Sequence, residues 1–249
     1  MNVHSELVSV LIPSYNRFNY LLRAIECVNN QTHKNFEIIV VNDGSDEEGY
    51  YKHNFPENVK IVNINREETP NWGGARDPVR NYGLSSVTGK YIAFLDDDDY
   101  WLPTKIEDQL NHLKKYNVGF SCTEGYFGYG DYDDTKKYIL YNSERHLKKI
   151  KKKYLFTKYF KFNKFPIIWK YDFLKHHNCV VNSSVVVKTE VFKKLGGFRG
   201  IFREERARHT ADHDCWLGLL QLTDLVYVDK PLFYYDAGHG QGQLYSDNN

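Results

Sequence analysis

Four consecutive aspartates, Asp96–Asp99, are the most distinctive chemical feature of the chain, and they follow an apolar run in YIAFLDDDDYWLP. Neighbouring carboxylates repel one another and lose solvation when they pack. A bound cation would offset this repulsion, and the segment would then be a metal-binding site. Hard oxygen ligands suit Mg²⁺ or Mn²⁺ rather than Zn²⁺. Because these ions usually take one or two carboxylates, another aspartate can accept hydrogen bonds from a ribose. The alternative is a solvated acidic turn that caps the following helix.

Three more polar segments carry candidate ligand-binding residues. Tyr15 and Arg17, in PSYNR, could stack on a base and pair with a phosphate, or only open the following helix. Asp43, in NDGS, could accept an N–H group from a nucleobase or form an Asx-turn. Arg76 and Arg80 belong to the Gly-rich segment NWGGARDPVRNYG. Such a segment can bring backbone N–H groups and guanidinium groups to a diphosphate, and surface salt bridges are the alternative.

Two carboxylates in the last quarter of the chain are candidates for proton transfer. Asp212 and Asp214 precede an apolar helical stretch in ADHDCWLGLL. One of them could act as a general base on a hydroxyl nucleophile, or both could serve as N-terminal charges of the helix. His239, in YYDAGHGQ, could be a third metal ligand or a lid residue, or an ordinary surface-loop histidine.

The elements that must position these residues alternate between two periodicities. Short continuous apolar runs predict buried strands, and apolar residues at helical spacing predict amphipathic helices after PSYNR and after WLP. This alternation predicts a Rossmann-like, mostly parallel sheet flanked by helices. Ligands of such sheets bind beyond the carboxyl ends of the strands, so PSYNR, NDGS and DDDD should cluster at one edge. The predicted strands are Val8–Ile12, Phe36–Val41, Val59–Ile64 and Tyr91–Leu95, and the Gly-rich segment leads into a helix that ends near Gly89.

The second half of the chain is less regular. Strands are predicted at Val118–Thr123 and Val180–Lys188, and helices at EVFKKL and CWLGLLQL. The segments LVYVD and PLFYYD close the domain. Residues 124–135 have no periodicity, and residues 136–177 are rich in lysine and aromatic residues, with KKIKKK at Lys148–Lys153. The segment is predicted to be a helical insertion with a solvated basic face. The alternative is an interface for an anionic acceptor at a membrane surface.

The composition limits the class of protein. The chain has 249 residues, of which 41% are hydrophobic and 16% aromatic, enough for a folded core. A net charge of +1 gives no global attraction to nucleic acid. The four cysteines form no CxxC pair, which predicts free, buried thiols. The sequence MNVHSELVSVLIP lacks a signal-peptide pattern, and no apolar run is long enough to span a membrane. We therefore expect a soluble, cytoplasmic protein.

In their order along the chain, these segments resemble the family 2 inverting glycosyltransferases, which have the GT-A fold. The resemblance rests on VSVLIPSYNR, EIIVVNDGS, ARDPVRNYGLSSVTGKYIAFLDDDDYWLP, SSVVVKTEVFKKLGGF, and ADHDCWLGLL followed by VDKPLFYYD. It covers most of the chain apart from about residues 124–177. It implies one glycosyltransferase domain over residues 1–249, in which residues 1–100 bind the nucleotide sugar. Residues 101–249 would then bind the acceptor and include the insertion at about 124–177.

The resemblance assigns roles to individual positions. Pro13, Tyr15 and Asp43 match the uracil-binding positions of the family. Asp98 best matches its metal ligand, and Asp212 matches its catalytic base. The remaining nucleotide contacts fall on one of two arginines and one of two aspartates: Arg76 or Arg80, and Asp96 or Asp97 on the ribose side.

Three positions depart from the family pattern. Ala211 stands where many relatives have the glutamate of a Glu-Asp pair, and Gly218 stands where an arginine often follows on the next helix. These departures put the diphosphate and acceptor contacts on that side in doubt. Pro78 is also unusual inside ARDPVRN, so the two arginines of that segment need not both face the nucleotide.

The implied reaction is the metal-dependent transfer of a sugar from a nucleoside diphosphate sugar to a hydroxyl of a glycan, lipid-linked or protein acceptor. Uridine diphosphate is the expected carrier, Mn²⁺ or Mg²⁺ the expected cofactor, and Lys148–Lys153 the expected contact in any peripheral membrane association. Nucleic acid is not an expected partner. A nucleotidyltransferase is the rival class, although its Gly-rich loop is missing after the first strand. Ala211 also leaves open a degenerate transferase that binds the donor without turnover.

Overall fold

A ten-stranded mixed sheet organises the part of the chain that the structure describes. The structure is a computed structural model, and it describes residues 5–65, 77–154, 164–199 and 211–238. Within these ranges, no helix combines the length and the apolar character needed to cross a membrane.

Four parallel strands form the first half of the sheet. The strands Val8–Ser14, Phe36–Asn42 and Tyr91–Phe94 have buried central residues, as expected of parallel strands that are covered on both faces. The edge strand Val59–Asn63 is only partly buried. The strand that begins at Val8 lies between two of the others. In its register, Val8 is opposite Phe36 on one side and opposite Tyr91 on the other. In chain order the strands are β1 (Val8–Ser14), β2 (Phe36–Asn42), β3 (Val59–Asn63) and β4 (Tyr91–Phe94).

The second half of the sheet is mixed. Its strands are β5 (Tyr100–Trp101), β6 (Phe120–Gly128), β7 (Ile139–Leu140), β8 (Ile168–Trp169), β9 (Val186–Lys188) and β10 (Leu225–Asp236). The order across the sheet is β3-β2-β1-β4-β9-β6-β10-β5. β9 is antiparallel to both β4 and β6, and β10 is parallel to β6. It follows that β1, β2, β3, β4, β6 and β10 share one direction, so their carboxyl ends lie at the same edge.

Helices cover both faces of this sheet. They are α1 (Phe18–Asn29), α2 (Gly49–Lys52), α3 (Asp77–Leu84), α4 (Lys105–Tyr116), α5 (Leu147–Lys153), α6 (Tyr171–Leu174), α7 (Thr189–Leu195) and α8 (Ala211–Leu219). A π-helical turn at Tyr141–His146 precedes α5, and a 3₁₀ turn at Asn182–Ser184 precedes β9. KKIKKK is therefore helical, as predicted.

The core consists of two apolar clusters, one on each face of the sheet. Successive residues of β1 point to opposite faces, so Val10 packs in the cluster that includes α1 and α4, whereas Leu11 packs in the cluster that includes α7 and α8. All four cysteines are free and buried, as the sequence predicts.

Gly83 allows α3 to lie close against the sheet. A Cβ atom at this position would lie 2.8 Å from Val41 Cγ2 and would collide with Leu11 Cδ2. Such distances are shorter than ordinary van der Waals contact, so a larger residue would push the helix away from β1 and β2.

The mixed α/β, mostly parallel architecture confirms the predicted fold class, but several element boundaries were wrong. α3 ends at Leu84 rather than near Gly89. The strand predicted at Val118–Thr123 continues to Gly128, into a stretch without visible periodicity. The strand predicted at Val180–Lys188 begins only at Val186, because Asn182–Ser184 forms a 3₁₀ turn instead.

Candidate active site

The three polar loops predicted to converge do lie at one edge of the sheet. PSYNR follows β1, NDGS follows β2 and DDDD follows β4, and these strands are parallel neighbours. The loops are tied together locally, since the Asp43 N–H group donates to the Ser14 carbonyl oxygen at 3.0 Å. Pro13, Tyr15 and Asp43 are each half-buried at this edge, the position that a nucleobase site requires.

The four aspartates alternate in burial. Asp97 and Asp99 are buried, whereas Asp96 and Asp98 are partly exposed. Asp97 accepts a hydrogen bond from Ser14 Oγ at 2.7 Å. Asp99 accepts one from Ser183 Oγ and one from the Asp236 N–H group, the latter at 3.1 Å. Asp97 and Asp99, the inward pair, therefore accept hydrogen bonds from β1, the 3₁₀ turn and β10.

Burial also changes the ionisation of the inward pair. It raises the pKa of Asp97 to about 7, with repulsion from Asp98 acting in the same direction and Arg17 opposing it. Burial likewise raises the pKa of Asp99 well above its usual value, with the charges of Asp98 and Asp96 adding to the effect. At neutral pH the inward pair thus carries less than its formal charge of two.

Asp96 and Asp98, the outward pair, form ion pairs with arginines. Arg17 Nη1 lies 2.9 Å from Asp98 Oδ2 and 3.2 Å from Asp97 Oδ1. Arg80 is buried and forms an ion pair with Asp96 through Nη2. Arg17 Nη2 is buried and has no hydrogen-bond partner in the described residues. Arginine and aspartate side chains therefore lie together at this edge, and the Nη2 atom of Arg17 has no protein partner in the part of the chain that the structure describes.

The fit of a divalent metal depends on the donor atoms available here. The outward carboxylates offer the hard oxygen donors that Mg²⁺ and Mn²⁺ prefer, and a diphosphate-bound ion needs only one or two of them. Among the residues the structure describes, no three His, Cys, Asp or Glu side chains form a metal cage. A metal that also takes phosphate oxygens fits this donor set. Two predicted residues, Arg76 and His239, lie outside the described residues.

Asp212 lies at the start of α8. Its Oδ1 atom accepts the His213 N–H group at 2.8 Å, and its Oδ2 atom accepts from Asn178 Nδ2 at 3.0 Å. Asp214 instead receives two hydrogen bonds from the guanidinium of Arg199, the one from Nε at 2.8 Å. Of the two carboxylates predicted as alternatives, Asp214 is engaged in a bidentate ion pair, so Asp212 is the better candidate for proton transfer.

Tyr141 connects Asp212 with the aspartate run. Its ring interacts electrostatically with both Asp212 and Asp99, and burial raises its pKa above the usual tyrosine value. Tyr235, whose ring centroid lies 5.4 Å from that of Tyr141, interacts with Asp96, Asp98 and Asp99. Asp212 and Asp99 therefore both lie within electrostatic range of the Tyr141 hydroxyl.

Sequence reasoning missed the residues that hold these carboxylates in place. Ser14 was quoted only as part of PSYNR, and Ser183 only as part of a strand; Asn178 carried no local signal at all. Tyr50, on α2, donates to or accepts from Ser14 Oγ and accepts the Arg17 N–H group at 3.0 Å. Its partners are more than thirty residues away in sequence, so only the folded chain reveals its role.

Comparison with protein families identifies the chain. The family model for glycosyl transferase family 2 matches residues 9–187, well over half of the sequence. An uncharacterised glycosyltransferase of Rickettsia typhi is 32% identical over 239 residues, which cover 96% of this chain and 66% of that protein. The Escherichia coli protein WfaP, a UDP-Glc:alpha-D-GlcNAc-diphosphoundecaprenol beta-1,3-glucosyltransferase, is 36% identical over 121 residues, 49% of this chain and 47% of its own. The chain spans less than two-thirds of the length of both relatives.

Solved structures show the same fold. Residues 1–349 of Staphylococcus aureus TarS match with a TM-score of 0.62 at 17% identity, covering 92% of this chain and 60% of that one. A complex of the same TarS fragment with UDP-GlcNAc also matches, with a TM-score of 0.62. At this identity the likeness supports the fold alone. Together with the family model, it leads to one conclusion: the chain belongs to glycosyl transferase family 2.

Proposed function

We propose that the protein transfers a sugar from a nucleoside diphosphate sugar to an acceptor hydroxyl with inversion at the anomeric carbon. The observation that carries the proposal is that the loops after β1, β2 and β4 meet at one edge of the sheet, where parallel sheets bind ligands. Residues 178–183 bond Asp212 at one end and the aspartate run at the other. Asp212 is the proposed base, and the loops after β1, β2 and β4 form the proposed donor site.

The donor site is proposed to take a uridine diphosphate sugar. WfaP uses UDP-Glc according to its name, and TarS is described in complex with UDP-GlcNAc. Pro13, Tyr15 and Asp43 would surround the base. The Nη2 atom of Arg17, which has no partner among the described residues, is suited to a diphosphate oxygen, because a buried donor without an acceptor is costly until a ligand supplies one. Arg80, ion-paired with Asp96, is proposed as a second positive charge near the diphosphate.

The two outward aspartates are proposed to divide two tasks. Asp96, whose side chain is 27% exposed, is better placed than the buried Asp97 to accept hydrogen bonds from a ribose. Asp98 is proposed to hold Mn²⁺ or Mg²⁺, which when bound would neutralise charge on the diphosphate leaving group. Asp97 then anchors the loop through Ser14 and Arg17.

The proposed reaction is a single displacement. Asp212 accepts the proton of the acceptor hydroxyl while that oxygen forms a bond to the anomeric carbon. The bond from the same carbon to the diphosphate oxygen breaks with its electron pair, and Arg17 and Arg80 stabilise the charge that develops there. Attack from the opposite face converts an α-linked donor into a β-linked product.

The proposed acceptor is a lipid-linked glycan. WfaP acts on a diphosphoundecaprenol-linked sugar according to its name. Lys149, Lys152 and Lys153 on α5 are exposed, and basic residues on a helix are attracted to anionic membrane surfaces. We propose that Lys148–Lys153 supply a peripheral contact with the membrane that carries such an acceptor.

The proposed function is tested with Asp98→Ala and Asp212→Asn, with Asp214→Asn as the matched control on the same helix. Calorimetric titration with UDP, with and without Mn²⁺, should show metal-dependent binding that Asp98→Ala abolishes. Asp212→Asn should keep this binding and lower UDP release from UDP-hexoses by about 10²- to 10⁴-fold, the usual contribution of a general base. Normal turnover by Asp212→Asn would show that the base is assigned wrongly. Absence of binding by any nucleoside diphosphate would overturn the donor site.

A further inference from the structure

We infer that Asn178 is a positioning residue for Asp212, fixing the direction in which the carboxylate faces an acceptor hydroxyl. Asn178 Nδ2 donates to Asp212 Oδ2 at 3.0 Å, and Asn178 Oδ1 accepts the Val180 N–H group at 3.1 Å. The inference rests on the proposed function, because it gives Asp212 the role of base.

The orientation of the Asn178 amide is set by the backbone. The Val180 N–H group can only donate, so it selects the oxygen of the amide as its acceptor. The amide nitrogen, which can only donate, must then face Asp212. A carboxylate oxygen is the acceptor that such a nitrogen requires, and the resulting charge-assisted bond is stronger than one between neutral groups.

Asp212 is thereby held at both oxygen atoms. Oδ1 is bound by the N–H group of His213 on the same helix, and Oδ2 by an amide from a different segment of the chain. One anchor would leave the carboxylate free to rotate about its last torsion, whereas two anchors define the plane of the group. The lone pairs that remain then point in a fixed direction, as proton transfer in a near-attack geometry requires.

The segment that carries Asn178 also sets the distance between the base and the donor site. Five residues further along, Ser183 Oγ donates to Asp99 and accepts the Asp96 N–H group at 3.0 Å. The segment is hydrogen-bonded at both ends, through Asn178 and Ser183. Between these ends, Cys179 and Val180 are buried. Asn178 is thus the end of a short rigid connection between Asp212 and the aspartate run.

Several ionisable groups surround Asp212 and must be considered in any pH profile. Tyr141 interacts with it from the π-helical turn. On α8, His213 donates from Nε2 to the Leu174 carbonyl oxygen and interacts with His177, and Asp214 is paired with Arg199. Asn178 differs from these groups because its side chain bonds Asp212 directly and does not titrate itself.

The test uses Asn178→Ala and Asn178→Asp, with Asp172→Asn on the exposed face of α6 as a control. Asn178→Ala removes the donor and should lower kcat about 10- to 100-fold, the range expected for one hydrogen bond to a charged group. The KM for the sugar nucleotide should stay unchanged, because Asn178 does not contact the aspartate run. Thermal denaturation of each variant separates loss of fold from loss of rate.

Asn178→Asp is the decisive variant, because it keeps the acceptor for Val180 and replaces the donor by a second carboxyl group. The pH profile of the wild type is the reference for this variant. Two carboxyl groups 3 Å apart share one proton over a range of pH, and the shared proton can replace the amide hydrogen. Activity of Asn178→Asp should therefore fall, rather than rise, as the pH is raised and the shared proton leaves.

Two results would overturn the inference. A pH profile of Asn178→Asp that runs parallel to the wild type would mean that Asn178 only supports the Val180 backbone. A kcat of Asn178→Ala within twofold of the wild type would mean that Asp212 needs no second anchor. In either case, an inactive Asp212→Asn leaves the proposed function intact, whereas an active Asp212→Asn would show that the base itself is assigned wrongly.

Discussion

Replacing Glu124 by glutamine tests how much stability a single buried carboxylate gives to the wall of the active site. Glu124 lies on β6, is 1% exposed, and accepts five hydrogen bonds. Oε1 accepts the N–H groups of Gly125 and Asn142 at 2.9 and 2.7 Å. Oε2 accepts the N–H and Oγ groups of Ser143 at 2.9 and 2.7 Å and the Tyr227 hydroxyl at 2.9 Å. These bonds hold the turn that carries Tyr141.

The expected cost follows from the number of donors that glutamine cannot satisfy. Its carbonyl oxygen can serve the two N–H groups at the Oε1 position, and its NH₂ group must then face the Ser143 N–H group. Leaving that buried donor unsatisfied costs about 1–3 kcal/mol, and the remaining bonds lose their charge assistance. The smaller desolvation of the amide offsets part of this. We expect the free energy of unfolding to fall by about 3 kcal/mol, which lowers Tm by roughly 6–12 °C in a chain of this size.

Urea denaturation and thermal denaturation of Glu124→Gln measure this cost. The matched control is Glu144→Gln, since Glu144 accepts the Leu140 N–H group in the same turn but is exposed, and we expect it to change the free energy of unfolding by less than about 0.5 kcal/mol. A loss below about 1 kcal/mol for Glu124→Gln would refute the reasoning, because it would mean that the five donors find water or other partners.

Two further predictions concern other parts of the fold. Burial lowers the pKa of His146 to about 3 in the folded chain. In the unfolded chain this histidine binds a proton near pH 6.5, whereas in the folded chain it stays neutral. His146 should therefore lower the free energy of unfolding by up to about 2 kcal/mol between pH 7.5 and pH 5. His146→Gln should flatten this slope in urea denaturation, although His177, whose pKa is lowered to about 4, keeps part of it; an unchanged slope would assign the pH dependence elsewhere. Gly83→Ala should lower the free energy of unfolding by about 1–2 kcal/mol, because the clash with Leu11 outweighs the better helix propensity of alanine. Ser85→Ala is its exposed control, and a stabilised Gly83→Ala would show that α3 shifts without cost.

The site residues that follow a recognisable strand could be predicted from the sequence. The side chains that hydrogen-bond to them from distant parts of the chain could not. An apolar run followed by four aspartates predicts a strand and its loop, and β4 confirms this. The donors to Asp99 come from Ser183 and Asp236, which are 84 and 137 residues away, and Asn178 is 34 residues from Asp212. No periodicity encodes such pairs, because they depend on how the second half of the sheet is ordered.

Two boundaries failed for physical reasons that a sequence pattern does not contain. Val180–Lys188 has strand character throughout, but serine and asparagine side chains compete with the ladder by bonding elsewhere, and Ser183 bonds Asp99 instead. From the sequence, LVYVD and PLFYYD are two successive closing segments, and no strand across Pro231 is predicted. Strand β10 instead continues through Pro231, and its register against β6 shifts on either side of this residue. Proline is tolerated at such irregularities of a strand.

The position of β9 has a consequence for how the protein is made. β4 and β6 have no direct pairing in the described sheet; each bonds β9, which comes later in the chain than both. Until Val186–Lys188 have left the ribosome, two apolar strands therefore present open edges, the condition under which partly folded chains stick to one another. The same segment brings Ser183 to Asp99. Closing the sheet and completing the acidic loop are consequently one late event, and nascent chains that stop short of it are natural clients for chaperones.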